Sequence, residues 1–221
     1  MNPRATAVVF DLDDTLFREI DFLHSAYRQI AADLSCRYPA LVSSVEAERV
    51  LFEAEGNAFD ALRQWLPAEV AEDQLWMRDF YRAHTPSISL MPGATTMLDA
   101  LADAGYTLGI ITDGRIVTQT NKILALGLHH WFRTSDIIIS EALKADKLTD
   151  TPFRTLMERH PEIERWIYVG DNPAKDILWP RRLGWTTVQL KATPLNIHPQ
   201  PPHPAPDLRI DSLADLFSAV G

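Results

Sequence analysis

Short apolar runs alternate with segments of helical period along most of this chain, and no other feature constrains the fold as strongly. The runs are rich in β-branched and aliphatic residues and cover 7–10, 108–112, 137–139, 166–169, 186–190 and 208–210. Helical period lies between them, at 94–104, 119–126, 153–159 and 176–183. This alternation predicts a Rossmann-like, doubly wound α/β fold built on a buried parallel sheet.

Residues 17–86 break the alternation, because they contain amphipathic helical patterns and no convincing strand. One predicted helix covers 18–34, and a second opens at a capping box of Ser43 and Glu46 and continues through Trp65. A third follows Pro67. We therefore predict a helical domain at 17–86, with its own aromatic core, inserted into a catalytic core of 1–16 and 87–221.

The charge, cysteine content and apolar runs of the sequence argue against several classes of protein. The 221 residues include 21 basic and 30 acidic side chains, and the resulting net charge of −9 disfavours a nucleic-acid partner. Cys36 is the single cysteine, which fits a reducing compartment. No run approaches the ~20 apolar residues that a membrane span needs. These features predict a cytoplasmic protein that binds neither nucleic acid nor membrane.

Polar residues end four of the predicted strands, where the ligands of open parallel sheets bind. In chain order these endings are Asp11-Leu12-Asp13-Asp14-Thr15, Thr112-Asp113-Gly114, a segment that leads to Lys147, and Gly170-Asp171 with Asp176 beyond. Crowded carboxylates repel one another, and Mg²⁺ relieves such repulsion because it binds carboxylates together with substrate phosphate. A lysine and a hydroxyl suit the remaining phosphate oxygens. The endings predict a magnesium and phosphate site.

The same four endings resemble the four motifs of the haloacid dehalogenase superfamily, in its phosphatase branch. The string Phe10-Asp11-Leu12-Asp13-Asp14-Thr15-Leu16 is similar to the first motif, and Thr112 after an aliphatic strand is similar to the second. Lys147 matches the third without its usual prolines, so Lys144 stays an alternative. Gly170-Asp171 with Asp176 is similar to the fourth.

This resemblance implies a role for each matched residue. Asp11 is the expected nucleophile, which forms an aspartyl-phosphate, and Asp13 is the expected general acid and base. Mg²⁺ is expected on the Asp11 carboxylate, the Asp13 carbonyl and Asp171, while Asp176 is either a further ligand or a residue that orients one. The phosphoryl group is expected to bind Thr112, Lys147 and the backbone N–H groups of Asp113 and Gly114.

The resemblance also suggests the reaction and the place of substrate specificity. We expect a magnesium-dependent phosphatase acting on a small phosphorylated metabolite, since dehalogenases of this superfamily lack the acid at the Asp13 position. A phosphosugar mutase and a non-catalytic module that keeps the fold remain alternatives. The inserted helices resemble a C1-type cap, and candidate substrate contacts are Phe17, Arg18 and Arg115.

Some of these residues also have simpler interpretations. Asp176 suits the N-cap or the first turn of a helix, Lys147 suits a solvated surface position, and Arg115 suits an exposed helix. The proline-dense stretch Pro194–Pro206 is interpreted as a rigid surface loop in preference to a polyproline ligand.

Overall fold

The computed structural model of the chain describes residues 2–71, 74–197 and 204–220. Its strands are β1 Thr6–Phe10, β2 Thr107–Thr112, β3 Ile137–Ile139, β4 Arg165–Gly170, β5 Thr186–Leu190 and β6 Leu208–Ile210. They form one parallel sheet in the order β3-β2-β1-β4-β5-β6. The predicted Rossmann-like α/β fold is confirmed.

The central strand β1 fixes where the site lies. It pairs with β2 on one side, through Val8 and Leu108, and with β4 on the other, through Val8 and Ile167. All five of its residues are buried, as expected for a strand covered on both faces. Because the strand order reverses between β1 and β4, their carboxyl ends form a topological switch point, where α/β folds bind ligands.

Helices connect the strands and also make up the inserted segment. In chain order they are α1 Glu19–Arg37, α2 Ser44–Glu53, α3 Ala58–Trp65, α4 Gln74–Ala83, α5 Ala94–Ala104, α6 Ile116–Ala125, α7 Ser140–Leu143, α8 Thr151–Arg159, α9 Pro173–Asp176, α10 Leu178–Arg182 and α11 Leu216–Val220. No helix within the described ranges is both long enough and apolar enough to cross a membrane.

The chain divides into two compact units, one of Met1–Glu19 with Ser89–Gly221 and one of Ile20–Ile88. A buried aromatic cluster stabilises the larger unit on one side of its sheet. In this cluster the indole rings of Trp166 and Trp185 stack with centroids 4.7 Å apart, and Phe153 packs edge-on against both Tyr168 and Trp185. That the smaller unit acts as a cap stays a prediction.

The smaller unit has a core of its own, in which Ile30, Leu34, Leu51, Leu62 and Met77 are buried. Aromatic side chains surround this core and pack against it, namely Tyr27, Tyr38, Phe59, Trp65, Trp76, Phe80 and Tyr81. Helices α2, α3 and α4 have only 10, 8 and 10 residues and are too short to be stable alone, so this shared core holds them in place.

The single helix predicted from Ser43 to Trp65 is wrong. The structure has two helices in that segment, because Asn57 caps a new helix with its side-chain oxygen. Asn57 Oδ1 accepts hydrogen bonds from the backbone nitrogens of Phe59 and Asp60, at 3.0 and 3.2 Å. The predicted proline-dense loop lies partly outside the described residues, at 198–203.

Candidate active site

The loop after β1 carries three acids with different surroundings. Asp11 is buried, with 5% of its surface exposed, whereas Asp13 is half-buried. Asp14 has a left-handed backbone, with φ of 55°, which aspartate tolerates better than most residues because its short polar side chain can hydrogen-bond locally. Its carboxylate accepts hydrogen bonds from the backbone nitrogens of Glu19 and Ile197, at 2.9 and 3.2 Å. Asp14 therefore fixes the bend that presents Asp11 and Asp13.

The Lys147 ammonium lies between two buried carboxylates, 2.6 Å from Asp11 Oδ1 and 2.7 Å from Asp176 Oδ1. Burial acts to lower its pKa, but the two carboxylates outweigh burial, and the pKa of Lys147 is raised well above its usual range. Lys144, the alternative, is exposed at the end of α7. The structure therefore brings Lys147, and not Lys144, to the carboxylates.

The Asp11 carboxyl lies in a strongly negative environment. Burial raises its pKa well above the usual range, and the Lys147 ammonium opposes this shift. The carboxylates of Asp176, Asp171 and Asp13 raise the pKa further. A cation near Asp11 would favour its ionised form, which is the form able to attack phosphorus.

Asp11, Asp171 and Asp176 can each direct one carboxylate oxygen to a common point, since these atoms all lie within 4.8 Å of one another. Two of the carboxylates are oriented by neighbours. Asp176 Oδ2 accepts from the Asn172 backbone nitrogen at 2.8 Å, and Asp171 Oδ2 accepts from Asn196 Nδ2 at 3.1 Å. This set of buried oxygen donors fits Mg²⁺, which prefers carboxylate ligands.

Asp176 reaches the cluster because Gly170 has no side chain. A Cβ at position 170 would lie 2.4 Å from Asp176 Cγ, well inside van der Waals contact. The N-cap of α9 is Asn172, whose Oδ1 accepts from the Ala174 nitrogen at 3.1 Å. Asn172 therefore fills the N-cap, and Asp176 lies in the first turn of α9, which is the other simple position predicted for it.

The turn after β2 lies against the lysine loop. Asp113 Oδ1 accepts a hydrogen bond from the Lys147 backbone nitrogen at 3.1 Å, which helps to hold the lysine in place. The Gly114 backbone nitrogen donates to Ser140 Oγ at 2.9 Å. Phosphate binding by the Gly114 N–H, as predicted, requires this bond to be exchanged.

Two buried residues of α6, which the sequence interpretation missed, contact the predicted site. Lys122 Nζ lies 2.6 Å from Asp13 Oδ1, and Gln119 Nε2 donates to Asp13 Oδ2 at 2.8 Å. The same Gln119 amide donates to Thr112 Oγ1 at 2.6 Å. Asp13 and Thr112 are thus linked through one helix face.

The model of the haloacid dehalogenase-like hydrolase family matches residues 8–190, which include the four strand endings described above. The chain belongs to this family. The resemblance to the haloacid dehalogenase superfamily that the four motifs predicted is therefore confirmed.

Curated relatives and solved structures match most of the chain or nearly all of it. The glyceraldehyde 3-phosphate phosphatase of Methanopyrus kandleri is 29% identical, over 97% of this chain and 96% of its own. A phosphoglycolate phosphatase of Rhodospirillum rubrum is 29% identical, over 76% and 72%. The magnesium-bound HAD-hydrolase YfnB of Bacillus subtilis shares the fold at 22% identity, with a TM-score of 0.68 and 99% coverage of both chains.

Three residues of this haloacid dehalogenase-like hydrolase were predicted as candidate substrate contacts, and they lie in different surroundings. Phe17 is fully buried, so its ring offers no surface to a substrate in this structure. Arg18 lines a separate cavity with Met91. Arg115 is exposed and its guanidinium lies 3.1 Å from the Glu141 carboxylate. The structure brings none of the three into the cavity at the carboxylates.

That cavity is lined by polar residues, which are Asp11, Asp13, Asp14, Glu19, Asp113, Lys147, Asp171, Asn172 and Lys175. Glu19, the first residue of α1, was not predicted to belong to it. Burial raises the pKa of Glu19 to about 7, and the Asp13 carboxylate adds to this effect while Lys122 opposes it. An acid that follows the first motif closely, at the start of a predicted helix, is the sequence signal that could have found it.

Proposed function

We propose that this chain is a magnesium-dependent phosphatase that hydrolyses a small phosphate monoester through phosphorylation of Asp11. The observation that carries the proposal is the buried Asp11 carboxylate, 2.6 Å from the Lys147 ammonium and clustered with Asp171 and Asp176. Relatives named as phosphatases of glyceraldehyde 3-phosphate, phosphoserine and phosphoglycolate support a phosphate ester as the substrate.

The reaction has two steps at phosphorus. In the first, an Asp11 oxygen attacks phosphorus while the bond to the ester oxygen breaks, and Asp13 gives that oxygen its proton. In the second, water attacks the phosphorus of phospho-Asp11, the bond between phosphorus and the Asp11 oxygen breaks, and Asp13 takes a proton from this water. Asp13 ends the cycle as it began, so no external acid or base is consumed.

The remaining polar residues bind charge and orient the reacting groups. Lys147 and the Thr112 hydroxyl suit the equatorial phosphoryl oxygens, on which negative charge is spread during transfer. The Asp11, Asp171 and Asp176 carboxylates, with the Asp13 carbonyl, would hold Mg²⁺. The metal would supply positive charge that offsets the repulsion between the phosphate and the carboxylates.

The helical unit Ile20–Ile88 is inserted into the sequence directly after the acidic loop that follows β1. We propose that this insertion acts as a cap that limits water and selects the substrate. The three relatives' substrates are compact phosphates that carry a carboxylate or an aldehyde, so compact phosphorylated acids and aldehydes form the first panel to assay.

Phosphate release from this panel, with and without Mg²⁺, tests the proposal. We expect wild-type activity that a chelator abolishes, and loss on the order of 10⁴-fold in Asp11→Asn, because the nucleophile is removed. Mass spectrometry of the quenched enzyme should show one phosphoryl group on Asp11. Asp103→Asn, an exposed acid of α5, is the matched control and should keep wild-type turnover. An Asp11→Asn protein that still released phosphate would contradict the mechanism.

A further inference from the structure

The Asp13 carboxylate is held on both of its oxygens by side chains of α6. Lys122 Nζ lies 2.6 Å from Oδ1 and Gln119 Nε2 lies 2.8 Å from Oδ2. Both residues are buried, with 3% and 1% of their surface exposed. They are three positions apart on the helix and therefore share one face. A carboxylate oxygen can accept more than one hydrogen bond, so Asp13 can bind a further donor while it is held by Lys122 and Gln119.

Gln119 also connects Asp13 to the turn that follows β2. Its amide donates to Thr112 Oγ1 at 2.6 Å. Its side chain lies directly under Gly114, where an added Cβ would approach Gln119 Cγ and Cδ to 3.0 Å. The position of Asp13 is thus tied to the phosphoryl-binding turn by a residue that belongs to neither motif.

Burial makes Lys122 unlike an ordinary surface lysine. A buried ammonium lowers stability unless a charged partner faces it. Even a paired one often adds little to stability, so stability alone does not explain why Lys122 is buried. The Lys122 ammonium faces Asp13 at 2.6 Å and also lies 5.5 Å from the centre of the Phe17 ring. Phe17 and Asp13 belong to the same loop, so α6 holds this loop at two points.

We propose that Lys122 and Gln119 are positioning residues that aim the Asp13 carboxyl group at the ester oxygen of the substrate. This inference rests on the proposed phosphatase reaction. In that reaction the proton passes from Asp13 to the ester oxygen as the P–O bond breaks, and a proton returns to Asp13 from the attacking water. Lys122 and Gln119 donate hydrogen bonds to Asp13 throughout and transfer no proton.

The dependence of rate on the leaving group separates positioning from general structural support. Alkyl phosphates need protonation of the ester oxygen, whereas 4-nitrophenyl phosphate releases a stable anion with little help from an acid. The ratio kcat/KM reports steps up to the first irreversible one, which includes departure of the alcohol, and is independent of later hydrolysis of phospho-Asp11.

The experiment compares Lys122→Met with wild type in saturating Mg²⁺, using a series from ethyl phosphate to 4-nitrophenyl phosphate. Because general acid catalysis is worth roughly 10²–10⁴-fold, we expect kcat/KM to fall by about 10²-fold or more for ethyl phosphate. For 4-nitrophenyl phosphate we expect a fall below about 10-fold. Gln119→Met should show the same trend, and it carries the test if Lys122→Met does not fold, as judged by its thermal melt.

Lys191→Met is the matched control, because Lys191 is an exposed lysine paired with exposed Asp211 at 3.0 Å. We expect Lys191→Met to leave kcat/KM unchanged for both ethyl phosphate and 4-nitrophenyl phosphate. An equal loss on all substrates in the Lys122 and Gln119 variants, or no loss, would overturn the positioning role. A wild-type enzyme inactive on every phosphate ester would instead overturn the proposed function, so the two failures are distinguishable.

Discussion

Glu19 links the ionisation of the site to the stability of the protein. Burial and the Asp13 carboxylate raise its pKa from an ordinary value of 4.5 to about 7, with Lys122 opposing the shift. Between these two values the folded protein holds a proton on Glu19 that the unfolded chain has released. The contribution of Glu19 to stability therefore falls as pH rises from 4.5 to 7, because the unfolded state holds less of this proton there.

Glu19→Gln should remove this loss of stability at high pH, because glutamine does not titrate. We expect the variant to match wild type near pH 4.5 and to exceed its free energy of unfolding at pH 8, by at most about 3 kcal/mol. Urea unfolding at several pH values, with chelator present, measures the difference. Glu158→Gln, an exposed acid of α8, should follow the wild-type pH dependence. Parallel curves for Glu19→Gln and wild type would contradict the prediction.

The sequence predicted the residues at strand ends, together with Lys147 and Asp176, and missed Glu19, Gln119 and Lys122, which reach the site from other helices. Asp11, Thr112 and Asp171 were accessible to prediction because parallel strands bring their carboxyl ends together. Gln119 and Lys122 contact Asp13 across 106 and 109 positions, and that contact depends on how α6 is rotated against β1. Their one sequence signal is a pair of polar residues, three apart, on the buried face of an amphipathic helix.

The carboxyl end of α8 is joined to the start of β3 through His160. Its Nε2 lies 2.8 Å from the buried Asp136 carboxylate, and its Nδ1 lies 3.1 Å from Glu162. Burial acts to lower the pKa of His160, but hydrogen bonds to Asp136 and Glu162 outweigh burial and raise it above 6.5. A cation at a helix carboxyl end is also favoured by the helix dipole.

His160→Gln should therefore destabilise the protein most at low pH. A raised folded pKa gives stability that is fully present below the unfolded value of 6.5 and is lost as pH rises through the folded pKa. We expect a loss of about 1 kcal/mol near pH 6 and a smaller loss at pH 9, measured by urea unfolding. His129→Gln, at an exposed histidine, should show neither effect. A loss that grows with pH would contradict this assignment.

Elements of the sheet were predictable, whereas the division of the inserted helices was not fully so. Each predicted strand matches an observed one, since buried parallel strands are short continuous apolar runs. The break between α2 and α3 escaped because apolar residues of helical period continue on both sides of Asn57. An N-cap residue can interrupt such a pattern when its side chain bonds the next turn.

Magnesium should stabilise the larger unit as a whole, because its predicted ligands come from separate parts of the sequence. Asp11 follows β1, Asp171 follows β4 and Asp176 ends α9, yet their oxygens lie within 4.8 Å of one another. The unfolded chain cannot hold these groups together, so a metal ion at this site would bind the folded state in preference. Ligand at 100 times its Kd stabilises by about 2.7 kcal/mol.

We expect Mg²⁺ to raise the Tm of the wild type by several degrees, measured by differential scanning calorimetry at increasing metal concentration. Asp171→Asn should abolish most of the increase, whereas Asp103→Asn should preserve it. The increase should also shrink as pH falls, because protons compete with the metal for the carboxylate oxygens and burial raises the pKa of Asp11. An equal increase in Asp171→Asn would place the metal elsewhere, and an increase that grows as pH falls would contradict a site made of carboxylates.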